Sequence, residues 1–139
     1  MKKLILIFGA IVLVSCGANK NSKPSLLEVL YQDENGGAKI EFYEIVTEKS
    51  EIAMLLGDEN LKGKIKKNDI ETSNFVILNM GEKPTGGYSI SVDRILETPD
   101  NIVVTIKKRS PKPRENVTTA ITNPYCIIRI NSKKEIIFK

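Results

Sequence analysis

Residues 74–92 read NFVILNMGEKPTGGYSISV, and the spacing of their apolar residues decides the fold. Phe75-Val76-Ile77-Leu78 is apolar without interruption, which suits a central strand covered on both faces. Tyr88, Ile90 and Val92 instead alternate with Ser89, Ser91 and Asp93, the period of a strand with one face in water. Between them stands Lys83-Pro84-Thr85-Gly86-Gly87. Pro84 fixes its φ near −65° and suits the second place of a β-turn over Lys83–Gly86. Gly86 or Gly87 can then take a positive φ and aim the chain at Tyr88. Two accounts of the glycine pair follow. Either it completes a hairpin connection with Tyr88 as core cover, or it exposes backbone donors and acceptors to another protein's backbone.

The same two periods recur on either side. Leu26 to Tyr31 predicts a first strand, ended by the turn residues Asp33-Glu34-Asn35-Gly36-Gly37. Ala38 to Val46 predicts a second, whose inward set switches from Ile40 and Phe42 to Tyr43 and Ile45, as a bulge would produce. Thr47 is placed to cap a short helix, with Ile52, Leu55 and Leu56 on one face and Gly57 as its stop. The charged stretch from Asp58 to Asp69 reads as loop. Downstream, Ile102, Val104 and Ile106 alternate, as do Cys126, Ile128 and Ile130, and Glu135 to Phe138 closes the series. Ser110 to Glu115 holds two prolines and cannot be a central strand, whereas Val117, Thr119 and Ile121 could form a short one. Short strands at this spacing with one short helix predict a mainly β, β-rich α+β domain: an antiparallel β-sandwich or partly open barrel over residues 26–139.

The amino terminus carries a different signal. Lys2 and Lys3 precede an apolar run from Leu4 to Val14, about half the ~20 residues a membrane-spanning helix needs. Residues 1–15 therefore read as an export signal. Its end, Leu13-Val14-Ser15-Cys16, resembles the lipobox of bacterial lipoproteins. That resemblance implies diacylglycerol on the Cys16 thiol, cleavage before Cys16 and acylation of the new amino terminus. Each buried CH₂ contributes about 0.8 kcal/mol, so two or three acyl chains anchor a protein to a membrane for long periods. Residues 16–25 are polar and read as a flexible tether. The expected location is a bacterial cell envelope, with the domain facing the periplasm.

Charge and chemistry narrow the function classes. Lys and Arg number 21 against 17 Asp and Glu, and removing Lys2 and Lys3 reduces the excess to 19 against 17. The clusters Lys62/Lys64/Lys66/Lys67 and Lys107/Lys108/Arg109/Lys112/Arg114 have no aromatic residues interleaved, so no nucleic-acid partner is expected. There is no His, which removes the commonest general base and metal ligand; with Cys16 acylated, only Cys126 remains as a thiol. Cys126 reads as a small core residue. Phosphate-binding glycine loops and Gly-x-Ser-x-Gly are missing. No catalytic residue, metal or cofactor is expected. A hydrolase built on two carboxylates is the enzymatic alternative, and it requires two acids facing one another across a cleft.

The segment Glu71 to Asn131 resembles the C-terminal domain of the PrcB family, named for a lipoprotein subunit of a bacterial surface protease complex. The likeness rests on Asn74-Phe75-Val76-Ile77-Leu78, then Gly81-Glu82-Lys83-Pro84-Thr85-Gly86-Gly87-Tyr88-Ser89-Ile90, then Val117-Thr118-Thr119-Ala120 and Asn123-Pro124-Tyr125. Pro-Thr-Gly-Gly-Tyr is its most specific part. The family often has an acidic residue where Asn74 stands and a Trp in the helix, which this chain lacks. The resemblance implies a non-catalytic lipoprotein that associates with envelope proteins, a protease among them. Pro84, Thr85, Gly86, Gly87 and Tyr88 are the expected protein-binding residues, beside Ser110–Glu115. A fainter likeness links Lys83–Tyr88 to the Asn-Pro-Thr-Thr-Gly-Tyr loop of chagasin-type cysteine protease inhibitors, although that family's Trp after the Tyr is absent and Ser110–Arg114 is a poor substitute for its Arg-Pro-Trp loop. A protease inhibitor is the alternative function.

Overall fold

A computed structural model describes residues 23–139. The expected signal peptide, Cys16 and the expected tether up to residue 22 lie outside the described residues. Among the described residues the strands are β1 (Leu27–Asp33), β2 (Glu41–Val46), β3 (Asn74–Met80), β4 (Ser89–Glu97), β5 (Asn101–Arg109), β6 (Tyr125–Ile130) and β7 (Glu135–Phe138). The helices are α1 (Lys49–Gly57) and the single turn α2 (Asp69–Thr72), with a 3-10 turn at Glu59–Leu61 between them. One sheet has the order β1-β6-β3-β2 and the other β4-β5-β7. The described residues are mainly β, an open sandwich, and form no closed barrel.

Residue period explains the layering. β3 and β6 are the two central strands of the larger sheet, and their side chains divide by parity. Val76, Leu78, Met80, Cys126, Ile128 and Ile130 meet Ile90, Ile102, Val104 and Ile136 of the smaller sheet. Phe75 and Ile127 point the other way, into a second cluster with Leu30, Val46, Ile52, Leu55, Leu61 and Ile65. The molecule therefore has three layers, helical cover on sheet on sheet, and the uninterrupted apolar run at residues 75–78 exists because both of its faces are buried. Cys126 is 0% exposed, and burial pushes its thiol pKa up to about 11.

The structure departs from the sequence expectations in several places. All strand pairs are antiparallel except β5 with β7, which run parallel. A parallel pair needs a long crossover; here the chain between β5 and β7 passes through the 110–124 segment and β6. The expected bulge in the second strand is absent. β2 keeps continuous register with β3, from Glu41↔Met80 to Val46↔Phe75. Irregularities fall instead in β1 between Val29 and Tyr31 and in β4 between Val92 and Arg94. The apparent switch of inward residues arises because Ile40 precedes the strand and is 77% exposed, while Tyr43 and Ile45 pack towards the smaller sheet. Residues 38–40 are held by the Asn79 side chain. Its Nδ2 donates to the carbonyls of Ala38 (2.9 Å) and Ile40 (2.5 Å), and its Oδ1 accepts from Ala38 N–H (2.9 Å).

The cap of α1 is Glu48, one residue beyond the expected Thr47. Glu51 Oε2 accepts from both Thr47 N–H (3.3 Å) and Glu48 N–H (3.2 Å), so the carboxylate at N3 reaches back over the helix start. The stretch Asp58–Asp69, expected as loop, holds the 3-10 turn and places Leu61 and Ile65 in the core, 2% and 8% exposed. No strand forms over Val117–Ile121; Thr118 O in this stretch accepts from Gly86 N–H, and Thr122 just beyond it forms an isolated bridge with Lys83.

Candidate functional site

The expected binding loop starts where β3 ends. Gly81 takes φ +77, and a side chain there would lie 3.1 Å from Glu41 N and 3.2 Å from Lys39 O. Lys83 and Thr122 exchange two backbone hydrogen bonds, 2.8 and 3.0 Å long. Thr122, 3% exposed, also donates its hydroxyl to Thr85 O at 2.7 Å. Gly86 N–H donates to Thr118 O at 3.0 Å, the bond that a β-turn over Lys83–Gly86 would have directed to Lys83 O. Gly87 takes φ +85, and its carbonyl accepts from Arg109 Nη1 at 2.6 Å. The turn is thus a bend stitched along its length to residues 118–122.

This geometry corrects the physical argument for the glycine pair. A Cβ on Gly86 would lie 2.6 Å from Thr118 Oγ1; one on Gly87 would lie 2.7 Å from Val117 Cγ1 and 3.0 Å from Pro111 Cβ. Both glycines make room for the chain's own 111–118 segment. Gly86 is buried, and its N–H already has a partner within the chain. Thr85, Gly87 and Tyr88 are half-buried, and Pro84 stands in solvent. The Tyr88 ring packs against the sandwich core, with Lys83 Nζ 6.0 Å from its centroid.

Ser110–Glu115 lies alongside, as expected, and has its own lock. Glu115 accepts Lys112 N–H at 2.8 Å and pairs with the Arg109 guanidinium, while its own N–H returns to Lys112 O at 3.0 Å. The Lys112 N–H and then Arg109 hold its carboxyl below the usual carboxylate range. The turn forces Arg114 to φ +66, uncommon for a residue with a side chain. One surface results, with Pro84, Lys112, Pro113, Arg114 and residues 118–121 facing water. Ile121, 61% exposed, is a member that sequence periodicity had assigned to a strand.

The position of this surface follows from register. Leu27 and Asn74 both pair with Ile130 at one end of the larger sheet, and Asn79 pairs with Tyr125 at the other. The described chain therefore enters at the Ile130 end, and the loop cluster caps the opposite end, about 20 Å away along β6 at ~3.4 Å per residue.

A second concavity lies on the helical face of the larger sheet, and Glu44, Glu51 and Asp58 are among its lining residues. Two of these acids serve the backbone, Glu51 as described and Asp58 by accepting Asn60 N–H at 2.8 Å. Among the described residues, no three His, Cys, Asp or Glu side chains converge as a metal centre would require.

The chain is 33% identical over 61 residues to an uncharacterized protein of Methanocaldococcus jannaschii, a match covering 44% of this chain and 36% of that protein. The match thus spans about a third of the length of that curated relative. No solved structure matches the chain. The family model described as PrcB C-terminal matches residues 74–131, the segment that supplies β3 to β6 and both loops of the cluster, and so agrees with the family that Pro-Thr-Gly-Gly-Tyr resembles.

Proposed function

We propose that this chain is a lipid-anchored, non-catalytic binding module of a bacterial cell envelope, an accessory subunit of a protease complex that holds its partner through the Pro84–Tyr88 and Ser110–Glu115 loops. One observation carries the reading: the segment with the PrcB C-terminal match builds a hydrogen-bonded surface at the end of the domain opposite the point where the described residues begin. The lipobox-like Leu13-Val14-Ser15-Cys16 supports the anchor. A ten-residue tether (16–25) reaches at most ~35 Å, which leaves the surface room to stand clear of the bilayer, on its periplasmic side in this reading. Within the cluster, the atoms offered to a partner are the exposed Pro84, Arg114 and Ile121 rather than the glycine backbone.

The test uses the full chain in its native membranes. Cys16→Ala should release the protein from the membrane fraction, and mass spectrometry of the unaltered protein should find acyl chains on the Cys16 peptide. Affinity capture should recover a protease subunit, and Pro84→Glu with Ile121→Glu, both at solvent-facing positions, should abolish recovery without loss of fold. Capture of no protease subunit, or undiminished capture by the double variant, overturns the reading. Inhibition of a papain-like protease by the isolated protein would select the inhibitor function instead.

A further inference from the structure

The groove on the helical face shares no lining residue with the loop cluster. Its volume is about 530 Å³. Phe42, Ile77 and Ile127 form an apolar floor contributed by β2, β3 and β6. Met54 of α1, 74% exposed, stands on one wall. Acidic groups flank the floor on both sides, Glu44 on the edge strand β2 and Glu51 and Asp58 beside α1. None of the described residues lining it is Lys or Arg, in a chain whose formal charge is +4.

The shape sets what fits. Four strands at ~4.8 Å span about 19 Å, and a helix with its side chains is about 10 Å across. α1 packs Ile52 and Leu55 into the cluster that holds Val46 and Phe75, and the floor residues Phe42 and Ile77 lie further along the strands towards Met80. The geometry points to an amphipathic α-helix of a partner protein as the occupant, its apolar stripe on Phe42, Ile77 and Met54 and Lys or Arg on both shoulders. Lysines on one shoulder meet Glu44; those on the other meet Glu51 and Asp58. The charge pattern excludes an acidic helix, and a helix apolar all round would leave the two acidic rims without counterparts.

The probe is a fluorescent Leu/Lys peptide of about 18 residues with leucines at helical spacing, titrated into the full chain in nonionic detergent micelles. Saturable binding at micromolar concentration is expected, with shifts of the Tyr125 ring resonances at the groove's end. Glu44→Lys with Met54→Lys, both at exposed positions, should weaken binding at least tenfold with an unchanged circular dichroism spectrum. Pro84→Glu with Ile121→Glu should leave binding unchanged, which separates this surface from the loop cluster. Equal affinity of the Glu44/Met54 variant would mean that the peptide partitions into micelles or binds elsewhere, and overturns the inference. So would no binding, tighter binding of a Leu/Glu peptide or of one with leucines at alternate positions, or self-association of the chain that the same variant abolishes.

Discussion

The glycine pair distinguishes an internal seam from an open backbone, because the two positions fail differently under alanine. Gly86 has an ordinary φ, and its only severe conflict is Thr118 Oγ1 at 2.6 Å, about 0.8 Å inside the 3.4 Å of easy contact. Thr118 is exposed, so its hydroxyl can turn away at the cost of a rotamer change, and Gly86→Ala should destabilise by about 1 kcal/mol. Gly87→Ala adds the left-handed backbone, about 1–2 kcal/mol, to overpacking against Val117 and Pro111, about 1–3 kcal/mol, for a total of about 2–5 kcal/mol. Second substitutions then separate the causes. Thr118→Ala removes the conflicting oxygen and should return Gly86→Ala to within about 0.5 kcal/mol of the single Thr118 variant. Val117→Ala should relieve Gly87→Ala only in part, since φ and Pro111 are unchanged. Urea unfolding of the chain followed by circular dichroism measures all of these. Should both alanine variants stay within about 0.5 kcal/mol of the unaltered protein, the seam does not require glycine, and a partner's backbone becomes the better account.

Three further outcomes follow from buried groups. Asn79→Ala orphans the polar groups of residues 38–40 and should cost about 2–4 kcal/mol, with hydrogen exchange of the Ala38 amide accelerating selectively; unchanged exchange there would refute the clamp. Leu61→Ala should cost about 2–4 kcal/mol although it sits in a lysine-rich stretch, whereas Leu56→Ala, at a 39% exposed position, should stay within about 0.5 kcal/mol. Cys126 should resist alkylation at pH 8 in the folded state and react once urea unfolds the chain, read by mass spectrometry of its own peptide. Because folding raises its pKa from 9.0 to about 11, its stabilising effect is complete below pH 9 and is lost as pH rises through about 11.

What could be read from the sequence was local period; what could not was long-range closeness. Phe75–Leu78 declared a central strand and Cys126–Ile130 an alternating one because the period of apolar residues is a property of successive residues. Leu61 and Ile65 did not declare a core role, since Gly63 and four lysines interrupt any helical pattern around them. Their stretch is pinned from a distance, Lys64 Nζ donating to Leu30 O at 2.7 Å and Arg129 Nη1 to Lys64 O at 3.2 Å. In the loop, Pro84 and the glycines announced a positive φ, present at Gly87, and a β-turn, in whose place stands a bend tied to residues 118–122. Which chain would lie against them depended on residues 111–122, whose polar, proline-containing composition gives no strand period. The second sequence expectation for the glycines, an exposed backbone, was a sound inference from missing side chains alone, and the neighbour that filled the space lay thirty residues away.

The two proposed surfaces differ in where their residues come from, and that difference has a consequence for which partners they serve. Pro84, Arg114 and Ile121 all lie within residues 74–131, the segment with the PrcB C-terminal match. The groove needs Phe42 and Glu44 from β2 and Met54 from α1, all upstream of it. The matched segment also cannot complete its own core: Phe75 and Ile127 are covered by Leu30, Val46, Ile52, Leu55, Leu61 and Ile65, and both edge strands of the larger sheet, β1 and β2, precede it. Upstream residues that must bury the same two strands are constrained on their inner side only. Their exposed positions, Glu44 and Met54 among them, are free to carry recognition particular to this chain, while a partner met through the matched segment alone would find the loop surface and no groove.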